Sequence, residues 1–241
     1  MADSPHVANG AIVLLVRPDQ HASTRSLRAL RRLRKTSGPL HGGTANVAAV
    51  DIRELDRRAL ATLGAVIAQV GPDQLRLPTP CADWTLHGLL RHQVSENRGF
   101  AAAAAGVTGD LRAWDQGNLG EDPYQAYLDS ADAMTRAFTE DVLDRSVQIR
   151  EFGFFPGRVA LGMHVLDCVV HGWDVAQSIG VAYDPDADLV HYSLKVAARI
   201  PTGAPSDDRP GIPFAPAVEI SAGAPALEQL LGLVGRRPTA S

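Results

Sequence analysis

The sequence has only two cysteines, Cys81 and Cys168, in 241 residues. That is too few for a disulfide framework. Each reads as a small buried hydrophobe, with Cys168 also kept in view as a thiol because it neighbours histidines. Lysine occurs twice, at Lys35 and Lys195, so arginine carries almost all the positive charge. Aromatic residues make up 5% of the chain. No apolar run nears the roughly 20 residues that span a bilayer; the run nearest the start is Gly10 to Val16. Basic residues follow that run rather than precede it, the reverse of a signal peptide. A cytoplasmic location without membrane association is the expectation. The chain also lacks a Gly-x-Ser-x-Gly elbow, a P-loop, a dinucleotide fingerprint and a His-Glu-x-x-His pair, which removes the reaction classes built on them.

What is present is ordinary for a globular protein, with 45% hydrophobic and 21% charged residues. The net charge of −4 is divided unevenly. Residues 1–48 hold seven Lys/Arg against two Asp/Glu, and the rest hold 16 against 25. An acidic body argues against nucleic acid as a partner, because phosphate binding needs a basic face. Within 1–48, Arg25 to Lys35 has the composition of a basic helix, cut off by Gly38-Pro39 and Gly42-Gly43. This segment reads as a disordered basic tail, and no function is built on it.

From Asp51 the pattern becomes helical. Leu55, Ala59, Leu63, Val66, Ile67 and Val70 recur at helical spacing before Gly71-Pro72. Leu77 to Cys81 is an extended connector, since proline disfavours helix in the residue before it. Thr85 is placed to cap a second helix from Leu86 to about Ala105. A third helix is expected over Pro123 to Thr139, a short hairpin or loop over Gln148 to Gly157, and a fourth helix over Arg158 to Ile179, closed by Gly180. Beyond lie a helix near Asp186–Arg199, a Pro/Gly-rich loop, a short strand at Ala217–Ser221 and a helix near Pro225–Val234. The expected fold class is all-α: a four-helix bundle over 49–182 with a small α/β extension over 183–241. That extension is a candidate lid or homodimer contact.

The fourth helix carries the sharpest chemical signal. At about 100° per residue, His164, Asp167, His171 and Asp174 share one stripe roughly 80° wide on an otherwise apolar helix. On the second helix, Gln93 and Asn97 sit within an apolar stripe where a plain core would carry Leu or Val, and His92 lies at its edge. Polar groups so placed need partners, because unpaired burial is costly. Neutral imidazole and carboxylate suit a divalent metal, zinc foremost, and catalytic sites pair three protein ligands with an open position. Asp167 and His171 stand one turn apart, and His92 is the natural third ligand. His164 is an alternative to Asp167, or a residue that orients a ligand. Spacing alone also fits hydrogen-bonded core histidines.

The segment Leu77-Pro-Thr-Pro-Cys-Ala-Asp-Trp-Thr-Leu-His-Gly-Leu-Leu-Arg-His92, with Val169-Val-His171-Gly-Trp-Asp174, resembles the DinB-like superfamily. It is most similar to the actinobacterial branch that includes mycothiol-dependent maleylpyruvate isomerase. The resemblance covers roughly residues 51–235. It implies a four-helix bundle holding a divalent metal, commonly zinc, through His92, Asp167 and His171. Asp167 stands where the isomerase pattern has Glu, and this shorter reach keeps His164 as an alternative.

The resemblance further implies an enzyme in which the metal activates a small-molecule thiol, mycothiol, toward an electrophilic substrate, as an isomerase or S-transferase. Gln93 and Asn97 would then line the pocket, and Asp174 or His164 would orient a ligand. A non-enzymatic metal- or ligand-binding bundle and a metal-dependent hydrolase are the competing expectations.

Overall fold

The computed structural model describes residues 51–81, 84–199 and 215–238. The basic tail expected over 1–48 lies outside them, as do Ala82 and Asp83. Helix α1, Ile52–Ile67, starts where the Asp51 carboxylate accepts a bond from Arg53 N at 3.0 Å. Its expected apolar stripe is buried from Leu55 to Ile67, and Val70 falls beyond its end. Pro72 opens a short 3-10 turn, after which Leu77 to Cys81 is extended. Pro78 bridges to Thr85, and Thr79 N bonds Trp84 O at 3.2 Å, which fixes Trp84 at the mouth of the next helix.

Helix α2, Leu86–Ala104, is capped by Thr85, whose Oγ1 accepts from Gly88 N at 3.3 Å. Gly99 lets the Trp114 indole lie directly on this helix: a Cβ there would stand 2.2 Å from the ring. Helix α3, Pro123–Ala137, has Asp122 bonded to Gln125 N at 3.0 Å and proline in its first turn. It ends two residues earlier than periodicity predicts, because Thr139 already leads into a 3-10 turn over Glu140–Asp144. Strands β1, Ser146–Ile149, and β2, Gly153–Pro156, form an antiparallel hairpin with Val147 opposite Phe155. Arg150, at its tip, has a left-handed φ of 47°.

Helix α4, Gly157–Ile179, is the axis of the fold and is buried without interruption from Ala160 to Ala176. Gly180 ends it at φ 72°, a conformation only glycine adopts cheaply. Helix α1 packs chiefly on α4, and α2 on α3, which together make the four-helix bundle. Helix α5, Ala187–Ala197, packs on α4 and is tied to α1 by Arg58, which bonds both oxygens of Asp188 at 2.6 and 2.7 Å. Helix α6, Ala226–Leu233, packs on α5.

The strand expected over Ala217–Ser221 is not one: it has no strand partner among the described residues. A strand needs a neighbouring extended chain to satisfy its backbone. The segment lies instead against the end of α6, where Val218 N bonds Gly232 O at 2.9 Å. The two-stranded sheet belongs to the hairpin, and the regular elements of the C-terminal extension among the described residues are the helices α5 and α6. Among the described residues no helix is long and apolar enough to cross a membrane.

Candidate metal centre

Helices α2 and α4 bring His92, Asp167 and His171 together in the interior. Asp167 Oδ1 lies 3.7 Å from His92 Nε2 and 3.4 Å from His171 Nε2. The two imidazole centroids are 5.2 Å apart. All three facing atoms are buried and lack a hydrogen-bond partner among the described residues. Leaving such an atom unpaired costs about 1–3 kcal/mol, so three of them converging on one point is expensive unless something is held there. Two ligands bound at zinc-like lengths and a tetrahedral angle lie roughly 3.3–3.6 Å apart. The 3.4 Å separation falls on that edge, the 3.7 Å one is slightly longer, and all three ligand atoms lie within 4.8 Å of one another.

The surrounding bonds decide which atoms are offered. His171 Nδ1 is 2.8 Å from Asp174 Oδ2. Asp174 is ionised: burial pushes its carboxyl up, but His171 and Arg236 hold it below the ordinary carboxylate value. Nδ1 therefore carries the proton, as assigned from this bond, and Nε2 presents a lone pair. Arg236 bonds Asp174 with Nη2 to Oδ2 at 2.8 Å and Nε to Oδ1 at 3.2 Å. Asp167 Oδ2 accepts a bond from Gln93 Nε2 at 2.8 Å, which leaves Oδ1 as the free oxygen. Burial also pushes the Asp167 carboxyl up, and the bond from Gln93 works in the opposite direction, toward the carboxylate. His92 turns its Nδ1 toward Glu96 Oε1, 3.6 Å away, and Glu96 is bonded in turn by Arg150. The half-buried Trp84 ring covers the pair, its centroid 4.6 Å from that of His92 and 6.2 Å from that of His171.

His164 is elsewhere. It sits about two turns, or roughly 10 Å, along α4 from His171, and both its nitrogens are taken. Nδ1 faces Asp56 Oδ1 at 2.7 Å, and Nε2 faces Asn97 Oδ1 at 2.9 Å. Asn97 Nδ2 donates to Ser130 Oγ at 2.9 Å, and Ser130 Oγ donates to Tyr127 O at 2.7 Å. The chain has one consistent direction. The serine proton is spent on a carbonyl, so Ser130 accepts from the asparagine amide. The asparagine oxygen then faces His164 and needs a donor, as does the Asp56 carboxylate. His164 donates from both nitrogens and is an imidazolium. Burial works against that charge, while Cys168 and Asp56 raise the His164 pKa well above the usual imidazole value. All four bundle helices contribute to this network, α3 through both Ser130 and the Tyr127 carbonyl.

The expected residues thus divide into two groups. His92, Asp167 and His171 converge; Gln93 and Asp174 hold two of them from behind. His164 and Asn97 belong to the separate network below. A second donor group, Cys81 with His171 and Asp174, also lies within 4.8 Å. It offers less, because both Asp174 oxygens already bond Arg236 and burial pushes the Cys81 thiol up to about 11.

Six residues of these networks escaped the sequence reading: Asp56, Glu96, Tyr127, Ser130, Arg150 and Arg236. Two were accessible in principle. Asp56 falls on the buried face of α1, and Glu96 lies one turn after His92 on the buried face of α2. The two arginines reach in from the hairpin and from beyond α6, and no local spacing marks them.

The description "Mycothiol maleylpyruvate isomerase N-terminal domain" matches residues 57–176, a range that contains all three converging side chains. Two uncharacterised proteins of Mycobacterium tuberculosis, from strains CDC 1551 / Oshkosh and ATCC 25618 / H37Rv, are each 31% identical over 182 residues. That alignment covers 75% of this chain and 94% of each relative. No solved structure matches. With a family model seated on the helices that carry the site, and relatives aligned over nearly their full length, the chain belongs to the mycothiol maleylpyruvate isomerase N-terminal, DinB-like family.

Proposed function

We propose that the protein binds a divalent cation, zinc foremost, through His92 Nε2, Asp167 Oδ1 and His171 Nε2, and uses it in chemistry on a small-molecule thiol. The observation that carries this reading is the convergence of three buried, unpartnered ligand atoms at zinc-like spacing. A cation with three protein ligands and one open position supplies Lewis acidity, which favours a sulfur ligand as thiolate over thiol at neutral pH. Mycothiol is the thiol that the family name points to. The reaction class is then isomerisation of an electrophilic double bond or transfer of the thiol onto an electrophile.

The chain's own groups have defined parts in this reading. Gln93 holds Asp167 with one oxygen aimed at the centre. Asp174 holds His171 in the tautomer that offers Nε2. Trp84 shields the imidazoles from solvent. Gln93 Oε1, buried and without a partner among the described residues, offers an acceptor beside the ligand carboxylate.

The test is metal analysis of untagged protein, followed by calorimetry with mycothiol. Wild-type protein is expected to carry about one equivalent of zinc or a related ion, and H92A and H171A to lose it. Full zinc in both variants would reject the ligand set. Thiol consumption in the presence of an electrophile, stopped by EDTA, supports the enzymatic reading. Turnover without thiol would indicate hydrolysis, and retained metal with no turnover would indicate a binding protein.

A further inference from the structure

The interior around His92 contains a second ion pair that the centre as described does not use. Glu96 is 3% exposed and lies one turn after His92 on α2. Its Oε1 takes the Arg150 guanidinium and also faces His92 Nδ1 at 3.6 Å. Arg150 comes from the tip of the β1–β2 hairpin. It is delivered there by a left-handed backbone, φ 47°, that L side chains disfavour. Its guanidinium lies 5.1 Å from the Trp114 ring centroid, and Nη2 also reaches Trp114 O at 3.4 Å. Its Nε is buried without a partner among the described residues. A strained backbone and an unsatisfied donor are both tolerated to place one positive charge behind Glu96. Strain of this kind persists where the surroundings over-determine it.

We propose that Arg150 and Glu96 are positioning residues for His92, a proposal that rests on the reading of His92, Asp167 and His171 as a metal centre. Glu96 faces His92 Nδ1 across 3.6 Å, a charge contact longer than a hydrogen bond, and its negative charge favours the tautomer with the proton on Nδ1, which leaves Nε2 free to face Asp167. Arg150 pins Glu96 on the Nδ1 side and compensates its charge, so that this carboxylate neither swings toward the centre nor stays uncompensated in the interior. The arrangement mirrors the other side of the site. There, Asp174 holds His171 Nδ1 and Arg236 holds Asp174. Each imidazole is backed by a carboxylate, and each carboxylate by an arginine from outside the four bundle helices. Carboxylates behind ligand histidines fix tautomer and ring orientation.

The test compares wild-type protein with E96Q, R150N and the E96Q/R150N double variant, with E151Q at the neighbouring exposed position as control. Asparagine tolerates the left-handed backbone at position 150, and the double variant leaves no lone charge inside, which keeps the fold testable by circular dichroism. Zinc affinity is read by chelator competition and site geometry by the visible spectrum of the cobalt-substituted protein. The expected result is zinc binding weakened about 10–100-fold in the folded double variant, with an altered cobalt spectrum and E151Q unchanged. Unchanged zinc affinity and a superimposable cobalt spectrum in the folded double variant would overturn the proposal. Failure of wild-type protein itself to bind zinc or cobalt would overturn it by a different route, through loss of the metal-centre reading.

Discussion

His164 shows how much one residue's partners decide. By sequence it is indistinguishable from His171, since both lie on one stripe of α4 between apolar neighbours. Asp56 and Asn97 make it a buried imidazolium, whereas Asp174 makes His171 a donor of one proton with a lone pair to spare. A pH dependence follows. The folded pKa of His164 is raised above its unfolded value, near the ordinary 6.5. Its contribution to stability is fully present below that unfolded value and is lost as pH rises through the raised folded one. Nitrogen NMR is expected to show both ring nitrogens of His164 protonated well above pH 7. The wild-type unfolding midpoint should fall on the alkaline side, and the D56N/H164Q double variant should lack that decline. A single-proton imidazole at pH 7 would refute the assignment. That His92, Asp167 and His171 lie together was legible from helical spacing joined to the family resemblance, with His164 left as an alternative. The division of His164 and Asn97 from that trio was not legible, because it depends on Asp56 and Ser130, contributed by α1 and α3.

At the scale of elements, caps and periodicity carried most of the information. Thr85 starts α2 and Gly180 stops α4 as expected, while Asp51 and Asp122, which the sequence reading does not assign as caps, start α1 and α3 by the same side-chain chemistry. The signal failed at Ala217–Ser221, where an alternating apolar pattern reads as a strand but no extended neighbour pairs with it among the described residues. Contacts between elements are invisible to periodicity altogether. Gly99 is an example: in sequence it is a weak point inside a helix, and in the fold it is the seat of the Trp114 indole. G99A would drive a methyl group into that ring. It is expected to destabilise the protein by about 1–3 kcal/mol, measured by denaturant unfolding, and a neutral result would mean that the 3-10 turn carrying Trp114 moves aside freely.

The molecule as a whole closes its centre from outside the bundle. The matched domain ends at residue 176, but Arg236 lies beyond it and makes two bonds to Asp174. Among the described residues the extension, a candidate lid or dimer contact by sequence, packs on α4 through α5, is tied to α1 by Arg58 and reaches Asp174 through this arginine. R236M removes one partner of a buried pair that is 5% and 0% exposed at its side chains. Breaking such a pair costs about 3–5 kcal/mol. Zinc affinity is expected to fall about 10–100-fold as well, because Asp174 would no longer be held on His171. Calorimetric unfolding and chelator competition read the two effects separately. Wild-type values in both would show that the bundle alone is sufficient.

Asp174 and Arg236 are 62 residues apart in the chain. During synthesis the carboxylate is therefore made well before the guanidinium that neutralises it, at a time when His92, Asp167 and His171 have already been made. Domains assemble in the order in which the ribosome releases them. Until α6 has docked, a bare charge sits beneath His171. On the metal-centre reading, a chain whose extension has not folded back onto the bundle is expected to hold the ion less tightly than the complete fold.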